Sequence, residues 1–132
     1  MKDKKPLLIG AALLALLAVF AWPHLRWLQF RLDANAAIGD KGLGRFPTGE
    51  QLIAFPETLR GLAKAKGFDD LEVTPALEER GVGPTAFWYY RTQLRAGSQA
   101  LVLERRIETR VDRGLLEQLA EAGVKIEREK AD

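Results

Sequence analysis

Hydrophobic and polar positions follow three successive patterns along this chain: an unbroken apolar run, a helical period and a period of two. The apolar run occupies residues 6–22 and contains no charged side chain. At about 1.5 Å per residue it would make a helix of about 25 Å, slightly less than the ~30 Å hydrocarbon core of a bilayer. We predict a transmembrane or signal-anchor helix over 6–22, preceded by a basic tail at residues 1–5.

The same segment also has the parts of a cleaved signal peptide. A basic start precedes the apolar residues 7–21, and the sequence VFA ending at Ala21 provides a small-residue cleavage site. Cleavage would leave Trp22 and Pro23, which are bulky and stiff, at the new N-terminus, and this favours the uncleaved anchor. A buried core helix is the third interpretation, and an apolar helix with no polar face fits it poorly.

The residues around the end of the run suit a membrane–water interface. Trp22 and Trp27 supply amphipathic rings, and Arg26 between them can extend its guanidinium to the headgroups. Three lysines precede the apolar run and two arginines follow it within ten residues, so the charge bias places the N-terminus in the cytoplasm. We predict a bacterial inner-membrane protein with a periplasmic C-terminal domain. Single Ser, Asn and His residues, no Cys, and abundant Ala, Leu, Arg, Gly and Glu are typical of a high-GC bacterial genome.

Residues 23–44 are predicted to be a juxtamembrane helix followed by a glycine-rich hinge. Leu25, Leu28 and Leu32 share one helical face, which we expect to meet lipid, the domain or a second copy of the chain. Three glycines in residues 39–44 then predict a flexible break. The folded domain is accordingly predicted over residues 45–132.

The pattern within 45–132 predicts a small two-layer α+β domain. Thr48 and Gln51 form a capping box before a helix over about 49–66, which Pro56 should kink or divide. A period of two and intervening turn residues then predict a three-strand antiparallel meander. A helix capped by Asp112 and a short strand follow. The three predicted strands cover residues 71–78, 86–95 and 100–111. The final helix covers 113–122, the final strand 124–126 and the solvated tail 127–132.

Alternation along the second strand assigns its aromatic side chains to two faces of the sheet. Trp88 and Tyr90 share the face that we expect the helix 49–66 to cover, while Phe87, Tyr89 and Arg91 share the other. Aromatic and arginine side chains together are enriched in protein interfaces. We therefore predict Phe87, Tyr89 and Arg91 as a protein-interaction site, with coverage by a helix of the same chain as the alternative.

Charge and composition exclude several classes of function. The first five residues carry three lysines and one aspartate and so account for the whole formal charge of +2; the other 127 residues hold seventeen basic and seventeen acidic side chains. That balance gives no electrostatic basis for nucleic-acid binding. The lack of cysteine excludes disulfides, thiolate catalysis and zinc–thiolate sites.

Residues able to carry a reaction are few and scattered. His24 and Ser98 lie about seventy positions apart, and Glu78 and Glu79, adjacent on a strand, point to opposite faces. The glycines at 81–84 lack the Lys and Ser/Thr of a phosphate loop. We therefore expect no catalytic, cofactor-binding or metal-binding residues, no bound cofactor and no enzymatic activity.

These observations predict a single-pass, membrane-anchored small domain. We expect a non-catalytic interaction protein or accessory subunit of a cell-envelope complex, whose partner is another envelope protein or a second copy. The alternative is an exported soluble domain, cleaved near Ala21, that binds a small ligand or lipid between helix and sheet; no motif indicates a particular small molecule.

Overall fold

The computed structural model describes residues 5–128 and confirms the predicted α+β fold. The predicted basic tail, apart from Lys5, and the last four residues of the predicted C-terminal tail lie outside these residues. A 3₁₀ turn at Gly83–Thr85 joins the first two strands. The elements are α1 (Lys5–Ile38), α2 (Gly49–Ala65), β1 (Glu72–Arg80), β2 (Phe87–Ala96), β3 (Gln99–Ile107), α3 (Arg113–Glu121) and β4 (Lys125–Arg128).

The four strands form one mixed sheet in the order β3-β2-β1-β4. The predicted meander is present: β1 pairs antiparallel with β2, and β2 pairs antiparallel with β3. The short strand β4 lies parallel to β1, with Leu77 opposite Ile126. Glu127 and Arg128, which we expected in a solvated tail, belong to β4 because the β1 edge provides them with backbone partners.

The core lies between one face of this sheet and the helices. Tyr90 and Leu77 are fully buried on that face, and Leu52 and Leu59 of α2 are fully buried against it. The ring of Phe55 meets that of Tyr90 edge to face at 5.8 Å. This confirms that α2 covers the face of Trp88 and Tyr90. Fully burying each large side chain contributes about 1.5–3 kcal/mol.

Helix α2 begins as predicted but does not divide at Pro56. The capping box is formed: the Thr48 N–H donates to Gln51 Oε1 at 2.8 Å, and the Gln51 N–H donates to Thr48 Oγ1 at 3.2 Å. Pro56 is buried inside one helix that runs to Ala65. The prediction of a two-piece helix is wrong, because the hydroxyl of Tyr90 donates to Leu52 O at 2.8 Å; the predicted kink at Pro56 stays a prediction.

The second half of α1 is part of the domain core. Its buried face carries Trp27, Phe30, Ala34 and Ile38, spaced by three, four and four residues. The predicted stripe of Leu25, Leu28 and Leu32 lies on another face, where these side chains are 48%, 49% and 62% exposed. The expected helix over residues 24–38 is therefore present, but the domain contacts a different face of it.

The glycine-rich segment at 39–44 is a packed turn in this structure. Leu43 is buried, and its N–H donates to Ala37 O at 2.7 Å. A Cβ placed on Gly42 would lie 2.0 Å from Ala37 O, so the turn closes tightly on the end of α1. Residues 27–43 therefore pack with the residues that follow, and the segment that we expected to be a hinge forms a packed turn.

Candidate functional site

The first half of α1 is an apolar helix with no protein around it. From Leu8 to Arg26 its residues are exposed, except for the half-buried Gly10. The uncharged residues 6–25 would span about 30 Å as a helix, which matches the hydrocarbon core of a bilayer. This exposed helix is long and apolar enough to cross a membrane, and it is consistent with a membrane anchor or a signal sequence. Its exposure sets aside the interpretation as a core helix.

Two polar contacts hold the second half of α1 alongside β3. Near one end, Gln99 Nε2 and His24 Nδ1 are 3.2 Å apart. Near the other, Arg105 Nη1 donates to Ile38 O at 3.2 Å. Fourteen helical residues rise about 21 Å and six strand residues about 20 Å, so α1 and β3 run side by side in the same direction.

The guanidinium of Arg105 also forms an ion pair with Asp40 in the turn after α1. The hydrogen bond from Arg105 is the main reason that the pKa of Asp40 lies below its ordinary value. This contact joins the glycine-rich turn to β3.

The three predicted membrane-interface residues do not share one environment. Trp22 is 53% exposed, and the Cζ of Arg26 lies 5.1 Å from the centre of its ring. Trp27 is buried, with its ring 5.1 Å from that of Phe30 and 5.3 Å from that of Phe68. The helical period that buries Phe30 also buries Trp27, so of the three predicted residues only Trp22 and Arg26 face outward.

A surface notch of about 480 Å³ opens at this junction. It lies between α1 and α2, which run antiparallel. The end of α2 therefore lies beside the point where the exposed apolar segment of α1 ends. The sequence did not identify Lys64 and Lys66 as part of this site, because basic residues are common near the end of a helix and indicate no ligand by themselves. Its lining is Trp22, Arg26, Gln29, Lys64, Ala65, Lys66 and Gly67.

The predicted interaction residues lie on the sheet face opposite the helices. Phe87 is 46% exposed, and the Cζ of Arg106 lies 4.6 Å from the centre of its ring. Tyr89 is half-buried beneath Arg80, whose Cζ lies 4.2 Å from the ring centre. Among the described residues no helix covers this face, which we call the open sheet face. One arginine guanidinium lies over each of these two aromatic rings.

Arg91 is the centre of an ion-pair network on the open sheet face. Its guanidinium contacts Glu78 at 2.7 Å and Glu127 at 2.9 Å, and so links three strands. Arg80 donates to Glu78 at 3.1 Å and to Glu104 at 2.7 Å, which brings in β3. The hydrogen bond from Arg80 is the main cause that lowers the pKa of Glu78. Sequence reasoning placed Arg91 on this face but could not find carboxylates that lie up to 36 positions away.

Two of the residues able to carry a reaction, His24 and Ser98, come near the same turn of the fold. His24 is brought to the β2–β3 turn by its contact with Gln99, whereas Ser98 in that turn is exposed. Among residues 5–128, no group of three or more His, Asp or Glu side chains is arranged to hold a metal ion. Comparisons with protein-family models, with curated proteins and with solved structures find no match to this chain.

Proposed function

We propose that this chain is a single-pass membrane protein whose small domain is a non-catalytic interaction module of a bacterial cell-envelope complex. In this proposal α1 crosses the inner membrane with its N-terminus in the cytoplasm, and the domain lies in the periplasm. The partner is another envelope protein or a second copy of the chain.

The observation that carries the proposal is the continuity of α1. One helix runs from the exposed apolar segment into the core, where Phe30 and Ala34 are fully buried. Because the contacts to Gln99 and Arg105 fix α1 along β3, the helix acts as a rigid support. A signal peptide needs no such continuity, since its apolar segment is removed.

This support sets the height of the open sheet face above the membrane. Gln99 lies beside His24 at the end of the apolar segment, and Arg106 pairs with Tyr89 seven residues farther along β3. At about 3.3 Å per residue, Tyr89 stands about 23 Å above that level when α1 is upright. The partner would therefore contact this face through a part that extends well beyond the bilayer.

A second uncovered surface lies closer to the membrane. Leu25, Leu28 and Leu32 form a stripe on α1 that the domain leaves exposed. Three leucines on one helix face suit a neighbouring helix that leaves the same membrane alongside α1. This surface supports a partner that is itself membrane-anchored, including a second copy of the chain.

Residues 5–128 show no feature that supports the alternative of an exported soluble domain with a ligand between helix and sheet. The space between α2 and the sheet, where such a ligand would bind, is occupied by the fully buried side chains of Leu52, Leu59, Leu77 and Tyr90. We therefore place binding on the outer surfaces rather than in a helix–sheet cleft.

Site-specific photo-crosslinking in the native membrane tests this proposal. A benzoylphenylalanine at position 87 should give one discrete adduct, identifiable by mass spectrometry. The same residue at Glu117, an exposed position of α3 in the helical layer, is the matched control and should give none. In the double variant Phe87→Thr/Tyr89→Thr, benzoylphenylalanine is placed at position 95 on the same face instead. This protein should remain folded but lose the adduct. Equal labelling from positions 87 and 117, or unfolding of the double variant, would contradict the assigned surface.

A further inference from the structure

We infer that the notch between α1 and the end of α2 binds the phosphate of an anionic phospholipid in the leaflet beneath the domain. This inference rests on the proposed membrane anchoring of α1. It concerns a different surface from the open sheet face, and it names a lipid rather than a protein as the ligand.

The notch gathers three positive charges from two separate elements. Arg26 comes from α1, while Lys64 lies in the last turn of α2 and Lys66 directly follows that helix, about forty positions later. Lys66 already forms an ion pair with Asp33, with Nζ 3.9 Å from Oδ2, so in the described part of the chain it is Arg26 and Lys64 that lack a counter-charge. Among residues 5–128, Arg26 and Lys64 form no ion pair, and no carboxylate lines the notch. A phosphate group would provide the missing counter-charge.

The depth of the notch corresponds to the headgroup region. Arg26 is the first charged residue after twenty uncharged positions, so it leaves the hydrocarbon core when residues 6–25 span it. Trp22, one turn closer to the membrane, lies about 6 Å deeper and lines the same notch. Trp22 on the membrane side would lie beside the acyl chains and the glycerol of a lipid, and the cations on the domain side would lie beside its phosphate.

Gly67 allows the guanidinium of Arg26 to lie against the end of α2. Its φ of +87° ends the helix in the left-handed region, and a Cβ there would lie 2.8 Å from Arg26 Nη1. The guanidinium therefore lies between the Trp22 ring and the chain at Gly67, on the same side as the two lysines. This arrangement holds Arg26 at the notch instead of letting it extend freely into solvent.

A purely structural account explains only part of this cluster. Lysines near a helix C-terminus interact favourably with the helix dipole, which accounts for Lys64 and Lys66 on α2. It does not account for Arg26 and Trp22, which converge on the same point from another helix. A soluble phosphate compound would satisfy the charges but would leave Trp22 and the adjoining apolar helix without a contact, so we assign the site to a lipid.

Native mass spectrometry of the full chain in detergent, titrated with phosphatidylglycerol or phosphatidylcholine, tests the inference. The unmodified chain should bind phosphatidylglycerol more tightly than phosphatidylcholine. Lys64→Gln/Lys66→Gln should weaken phosphatidylglycerol binding about tenfold to thirtyfold, as expected for two headgroup-level cations. The control Arg113→Gln/Lys125→Gln removes the same charge from exposed positions elsewhere and should bind like the unmodified chain.

Three other outcomes would overturn the inference. Equal binding of both lipids would show that the notch does not select an anionic headgroup. An equal loss in the control variant would show dependence on net charge only. Full competition by inorganic phosphate would assign the notch to a soluble anion. Co-elution of the chain with lipid nanodiscs is measured separately, and failure there would instead reject the membrane anchor of the proposed function.

Discussion

The hydroxyl of Tyr90 donates a hydrogen bond of 2.8 Å to the carbonyl of Leu52, the carbonyl that Pro56 deprives of its helical partner. Within a helix, the N–H of residue 56 would bond to the oxygen of residue 52, and proline has no N–H. Since both Leu52 and Tyr90 are fully buried, water does not reach this carbonyl. A side chain of the sheet thus completes the backbone hydrogen bonding of α2.

Replacing Tyr90 by phenylalanine tests this relationship. Tyr90→Phe should lower the free energy of unfolding by about 1–3 kcal/mol, because it leaves a buried carbonyl without a donor. In a Pro56→Ala background the new N–H can bond to Leu52 O, so the same substitution should cost clearly less. Chemical denaturation of the four proteins in detergent measures this coupling, and identical costs in both backgrounds would disprove it.

Alkaline pH should destabilise the domain through the same side chain. Burial raises the pKa of the Tyr90 phenol in the folded protein. The unfolded phenol ionises near pH 10, so the stabilisation from Tyr90 is complete below about pH 10. It is lost as the pH rises toward the higher folded-state pKa.

Thermal unfolding between pH 8 and pH 11 measures this effect. Tyr90→Phe should remove a large part of the alkaline loss in melting temperature. Tyr89→Phe, which leaves Tyr90 in place, is the matched control and should retain the loss. A Tyr90→Phe protein with the same alkaline slope as the unmodified chain would assign the effect to other groups.

Two threonines of the domain should respond oppositely to replacement by valine. Thr92 is fully buried, and within the described part of the chain its Oγ1 has no hydrogen-bond partner. Thr92→Val should therefore raise the free energy of unfolding by about 1 kcal/mol. The Thr109 hydroxyl donates to Pro47 O at 2.7 Å, so Thr109→Val should lower it by a similar amount. Denaturant titration of both variants decides the matter, and destabilisation by Thr92→Val would indicate that its hydroxyl has a partner.

Two glycines distinguish a fixed turn after α1 from a flexible hinge. A Cβ on Gly42 would lie 2.0 Å from Ala37 O, whereas one on Gly61 in α2 would meet no atom within 4 Å. Gly42→Ala should therefore destabilise the domain by about 1–3 kcal/mol. Gly61→Ala should stabilise it by about 0.5–1 kcal/mol, since alanine favours a helix interior. Hydrogen exchange at residue 43 should accelerate in Gly42→Ala only; unchanged exchange and stability would indicate a flexible hinge.

Features specified by neighbouring residues could be predicted from the sequence, and features that depend on distant contacts could not. The capping box of Thr48 and Gln51 and the alternation of Phe87 with Trp88 are local, and both correspond to the structure. The helix after Pro23 has two apolar faces, and periodicity alone cannot choose between Leu28 and Phe30.

Packing against residues far along the chain resolves that choice. Phe68 meets the face of α1 that carries Phe30, with ring centres 6.4 Å apart, and so buries that face. The candidate site shows the same division. Arg26 was identified from its flanking apolar run, whereas Lys64 and Lys66 join it only because α2 folds back along α1.

The proposed function requires that α1 stays attached and holds the domain at a membrane surface. Carbonate extraction of expressing cells, followed by intact mass measurement of the membrane and soluble fractions, tests it most directly. We predict a chain that retains residues 1–21 and remains in the carbonate-resistant membrane fraction. A soluble chain that begins at Trp22 would contradict the account, because α1 would then be a removed signal sequence followed by a core helix.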